Sequence, residues 1–73
     1  MSITLNNKFY TISDIDKNSN IVNISVDVRS GSIDGAVEDK KGFWFLSEDE
    51  EGLEQKGYSF LKNREEFAGA TDV

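Results

Sequence analysis

Val22-Asn23-Ile24-Ser25-Val26-Asp27-Val28-Arg29 alternates without an error: Val22, Ile24, Val26 and Val28 point one way, and Asn23, Ser25, Asp27 and Arg29 the other. Successive side chains of a strand face opposite sides, so this period of two predicts a half-buried β-strand. Working outward, residues 2–5 and 8–12 are β-compatible runs separated by Asn6-Asn7, a pair that tolerates the positive φ of a tight hairpin turn. The chain therefore opens with a predicted hairpin. Residues 16–20 collect turn formers between the second and third runs, and Ser30-Gly31-Ser32 ends the third. Residues 33–38 read as a weaker strand interrupted by Gly35, residues 39–42 as a turn, residues 43–47 as a strongly β-prone run, and residues 58–61 as a last strand.

Helix signals are confined to the last third. Ser47 and Glu50 have capping-box spacing, but the residues after them offer one apolar side chain and a glycine, which predicts a loop or single turn. Asn63 and Glu66 repeat the spacing ahead of Phe67, with Gly69 where a short helix would stop. Residues 70–73 have nothing to hold them and are expected to fray. The fold class is thus mainly β (or α+β): a small antiparallel sheet or open barrel of four to five strands with at most one short C-terminal helix, in a single domain over residues 1–73. Its expected core is Val22, Ile24, Val26, Val28, Phe43 and Phe45.

Composition narrows the chemistry. With 73 residues, no His, no Cys and no Pro, the chain has room for one core. It can supply no imidazole or thiolate nucleophile pair and no Cys/His zinc site. The net charge of −6 disfavours direct nucleic-acid binding, and the longest apolar run, Phe43-Trp44-Phe45-Leu46, is too short to span a bilayer. No secretory h-region opens the sequence, and the lack of Cys fits the cytoplasm, which is the expected location.

The charge is concentrated in one stretch. Acids and bases cancel over residues 1–33 and again over residues 55–73. Residues 34–54 hold Asp34, Glu38, Asp39, Glu48, Asp49, Glu50, Glu51 and Glu54 against Lys40 and Lys41 alone, the entire excess of six. Such concentration costs self-repulsion and would steer a basic partner; a solvated acidic loop is the plain alternative. The same stretch contains the aromatic run. As a strand it is apolar on both faces, so either a C-terminal helix carrying Leu61 and Phe67 covers the second face or part of it is exposed. An aromatic patch rimmed by carboxylates suits a protein-binding surface. The candidate partner-binding residues are these eight acids together with Phe43 and Trp44.

Asp14, Asp16, Asn18 and Asn20 fall at positions 1, 3, 5 and 7 of a calcium-loop spacing, so the stretch resembles half an EF-hand loop. Ser19 stands where the sharp turn needs Gly and Ser25 where a bidentate Glu is needed, and the flanks read as strands, so a polar turn without metal is expected. Adjacent acids at Glu48 to Glu51 lack the enclosure that separates a catalytic acid from a base, so no enzyme, catalytic residue or cofactor is expected.

In size, acidity and lack of catalytic residues the chain is similar to the short anti-defence inhibitors of mobile elements, including anti-CRISPR proteins and nucleic-acid mimics. That resemblance implies a small cytoplasmic inhibitor occupying a basic surface of a partner protein, including one that binds nucleic acid. An antitoxin-like protein neutralising a basic enzyme differs only in target. The other class is a small structural or virion-type assembly protein using its apolar strand and sheet edges.

Overall fold

Asn6 and Asn7 take left-handed φ angles of 52° and 64°, turning strand β1 (Ile3–Leu5) directly into β2 (Lys8–Asn18). The computed structural model describes residues 1–73. β3 (Ile21–Ser30) and β4 (Asp39–Leu46) extend the meander, helix α1 (Leu53–Lys62) and a 3₁₀ turn (Glu65–Phe67) follow, and β5 (Thr71–Asp72) ends the chain. The five strands form one open antiparallel sheet in the order β4-β3-β2-β1-β5. The mainly β class with a single helix is therefore what the chain adopts.

β3 is the centre of the core, as its alternation requires: Val22, Ile24, Val26 and Val28 are all buried. α1 packs against this face through Tyr58 and Leu61, and Ile3 and Phe67 complete the buried cluster. Each fully buried aliphatic side chain stabilises the fold by roughly 1.5–3 kcal/mol, a large share for so short a chain. Phe43 and Phe45 are half-buried on the same face, where Phe45 stacks on Phe60 at 5.3 Å between centroids. The helix rests on the sheet at Gly57, where a Cβ would lie 2.7 Å from Ile12 Cδ1.

Several expected boundaries are corrected. The turn expected over residues 16–20 is limited to Ser19 and Asn20, with β2 running as strand to Asn18. A β-bulge explains why periodicity missed this: Ile12 pairs with Val26 and Asp14 with Ser25, leaving Ser13 as the extra residue. Ile12 and Ile15, three residues apart, thereby both reach the core. Residues 33–38 form a loop and not a strand, folded on itself by the Gly35 amide donating to the Ser32 carbonyl and by Arg29 Nε donating to the Gly35 carbonyl.

Residues 39–42 are strand and not turn, since Asp39, Lys40, Lys41 and Gly42 pair with Val28, Asp27, Val26 and Ser25. Residues 58–61 are helix and not strand: the spacing of Leu53, Gly57, Tyr58 and Leu61 sets one helical face on the sheet. Residues 47–52 are loop, as expected, and the helix starts after Gly52, whose φ is 66°. The short helix expected after Asn63 is the 3₁₀ turn, whose N-cap position is Arg64 and carries no side-chain cap bond. Residues 70–73 are held in place: β5 pairs with β1, and beyond it Val73 and Ser2 exchange backbone hydrogen bonds of 3.0 and 3.4 Å. No helix is long and apolar enough to cross a membrane.

Candidate functional site

The helix covers one face of the sheet, and the other face is open. Strand register places its side chains in rows across β2, β3 and β4. Asn18, Ile21 and Leu46 form one row, Asp16, Asn23 and Trp44 the next, then Asp14, Ser25 and Gly42, then Thr11, Asp27 and Lys40. Two rows at one end hold three large apolar side chains in water: Ile21 is 42% exposed, Trp44 60% and Leu46 62%. Ile21 and Leu46 are directly opposed, and Trp44 lies two residues before Leu46 on the same side of β4. This is one contiguous patch.

Carboxylates edge the patch. Asp14 and Asp16 are exposed on β2, across Ser25 and Asn23, and Glu48 follows just past the end of β4. None of these three takes part in the molecule's six ion pairs. The opposite end of the face is electrically closed. Asp27 is buried there, bonded by Lys40 Nζ at 3.0 Å with Arg29 at 3.8 Å. The Lys40 hydrogen bond holds the Asp27 carboxyl below the usual carboxylate range, against the opposing effect of desolvation.

The structure divides the acids that sequence reading grouped. Asp34, Glu38 and Asp39 lie at the β3–β4 loop end, and Glu48, Asp49, Glu50, Glu51 and Glu54 at the other, separated by the length of β4, roughly 25 Å. Glu38 is occupied internally, accepting Lys8 Nζ and Ser30 Oγ at 2.7 Å each. Those bonds hold Glu38 below its ordinary range, and the same contact raises Lys8. Asp49 accepts Lys56 Nζ at 2.8 Å and is lowered by that bond. Glu48, Asp49, Glu50 and Glu51 line one shallow depression between β4 and α1, and of these only Asp49 is in an ion pair.

Of the two candidate aromatics, Trp44 projects into water. Phe43 turns to the helix side, where the Arg64 guanidinium lies 4.9 Å over its ring. Sequence reading missed Ile21, Leu46, Asp14 and Asp16 as members of a surface. The signal was present in the i, i+2 spacing of Asp14 and Asp16 beside an alternating strand. The calcium-loop spacing has the same origin: along β2 the side chains of Asp14, Asp16 and Asn18 are spread along a line and not around a loop. No family model, curated protein or solved structure matches this chain.

Proposed function

We propose that this protein is a small acidic binding protein whose open sheet face occupies a basic surface of a partner protein. One observation carries the reading: Trp44, Leu46 and Ile21 stand in water on a rigid sheet, edged by carboxylates that have no internal partner. Apolar anchors inside a charged rim are the usual composition of a protein interface, the anchors supplying affinity and the rim steering. The overall charge of −6 supports the finer reading that the occupied surface is one that binds nucleic acid, as for anti-defence inhibitors and nucleic-acid mimics. A role in binding, and not in catalysis, is supported by the exposure of Glu48, Glu50 and Glu51 to water without apolar enclosure.

The test is capture from an extract of the source cell at low and high salt. A basic protein retained at low salt, released at high salt, and lost when either Trp44→Ala or the pair Asp14→Lys and Asp16→Lys is introduced supports the proposal. Retention that ignores salt and both variants refutes it. The assembly reading has its own support in the free edge of β4.

A further inference from the structure

β4 is an outer strand, and its register determines which of its backbone groups remain free. The Ser47 amide donates to the Asn20 carbonyl at 2.8 Å, one residue beyond the Leu46–Ile21 pair on each strand. In an antiparallel ladder that bond brackets a non-hydrogen-bonded pair, and the two kinds of pair alternate. Residues 39, 41, 43 and 45 therefore bond inward to β3. The N–H and C=O groups of Lys40, Gly42, Trp44 and Leu46 point outward along an open edge. Along it runs a groove of about 650 Å³ lined by residues 42–46 of β4 together with Phe60, Arg64 and Glu66 of the helix side.

We propose that β4 pairs with β4 of a second copy of this chain, antiparallel and about a two-fold axis, joining two five-stranded sheets into one. Charge selects this occupant. Lys40 and Lys41 precede the apolar centre of the strand, and Glu48 to Glu51 follow it. A two-fold antiparallel arrangement sets the start of one strand against the end of the other, so the basic end of each copy meets the acidic end of its mate, twice over. Within one chain Lys41, Glu48, Glu50 and Glu51 make no ion pair.

Side chains agree with this pairing. The mate's Phe43 and Phe45 fall on the groove side, beside Phe60, and its Trp44 and Leu46 on the open face. Gly42 leaves room for a large neighbour across the new ladder, since nothing lies within 4 Å of where its Cβ would be. Residues 42–46 carry no charge, proline or bulge, the devices that normally block edge pairing. The sheet's other edge is the two-residue β5, too short to propagate a fibre, so pairing through β4 closes as a dimer.

Sedimentation velocity of the full chain over a range of concentrations tests this. The expected result is a monomer–dimer equilibrium. Gly42→Pro removes an outward N–H without touching the β3 ladder and is expected to give a folded monomer. Lys41→Glu should weaken dimerisation roughly tenfold, and adding Glu50→Lys and Glu51→Lys to the same chain should restore it, because the basic and acidic ends of the strand are then exchanged together. A monomer at every concentration, species larger than a dimer, or a dimer indifferent to both Gly42→Pro and Lys41→Glu would overturn the proposal. Should Gly42→Pro fail to fold, the charge swap decides: weakening with restoration supports it, and no change overturns it.

Discussion

The Tyr58 hydroxyl sits between two strands, accepting the Ile12 amide at 2.9 Å and donating to the Met1 carbonyl at 2.7 Å. The β1–β2 register that pairs Ile3 with Tyr10, carried two residues further, would oppose Met1 to Ile12, so a helix side chain stands in for one rung of the ladder. It does so at the residue just before the bulge. Tyr58→Phe should leave both backbone groups without a partner and destabilise the fold by about 1–2 kcal/mol, read as a lower urea midpoint at an unchanged slope.

Burial raises the Tyr58 phenol above its ordinary value of 10.0. The folded state then holds this proton more tightly than the unfolded state does. Its contribution is fully present below about pH 10 and is lost as pH rises through the higher folded value. Alkaline unfolding curves should therefore fall more steeply above about pH 10 for the wild type than for Tyr58→Phe.

Asp27 gives the opposite sign. Its carboxyl is held below the ordinary value of 3.8 by the Lys40 hydrogen bond. The resulting stabilisation is present above that value and disappears as pH falls through the lower folded one. In carboxyl NMR titrations Asp27 should titrate below the usual range in the wild type and move upward in Lys40→Ala.

The approach of Gly57 to Ile12 separates two substitutions. Gly57→Ala gains about 1 kcal/mol of helix propensity and need displace only the terminal methyl of Ile12, so its urea midpoint should move little. Gly57→Leu overfills the same space and should destabilise by about 1–3 kcal/mol. Equal effects from both would mean that the helix does not rest on the sheet at this point.

For the open face, the rim and the anchor should separate kinetically once a partner is in hand. Reversing Asp14 and Asp16 to Lys, or Glu50 and Glu51 to Lys, should slow association by an amount that shrinks as salt is added. Trp44→Ala should leave association nearly unchanged and speed dissociation, at a cost of about 2 kcal/mol or more. Surface plasmon resonance at two salt concentrations reads both effects. If reversal at Glu50 and Glu51 has no effect while reversal at Asp14 and Asp16 does, the acidic stretch before the helix is a solvated loop and the interface is the sheet face alone.

What could be read from sequence was local. Val22 to Val28 alternate because one strand is buried on one side only, and Asn6-Asn7 suffices to make a turn. Lys40 and Lys41 look like turn residues in isolation and become strand because Lys40 has Asp27 opposite it, a fact of pairing that no window of sequence contains. Tyr58 to Leu61 are as apolar as a strand, and only counting back to Leu53 and Gly57 reveals the helical spacing. Ser13 hides the second half of β2, since one extra residue shifts the alternation and lets Asp14, Asp16 and Asn18 pass for a loop. The acidic candidates were legible as composition. Their division between the two ends of β4, and the joining of Trp44 with Ile21 and Leu46, depend on which strands become neighbours.

The bonds between Ser2 and Val73 have a mechanical consequence. The two residues lie side by side at one end of adjacent antiparallel strands, so a force drawing them apart acts across the strands and loads one rung at a time. Peeled this way, β5 should part from β1 first, and the long β2–β3 ladder, gripped from neither end, should part last. A pulling experiment should therefore meet low resistance at the outset, and an unfoldase engaging residue 73 should meet α1 and β4 after β5, with its main barrier at the β2–β3 ladder.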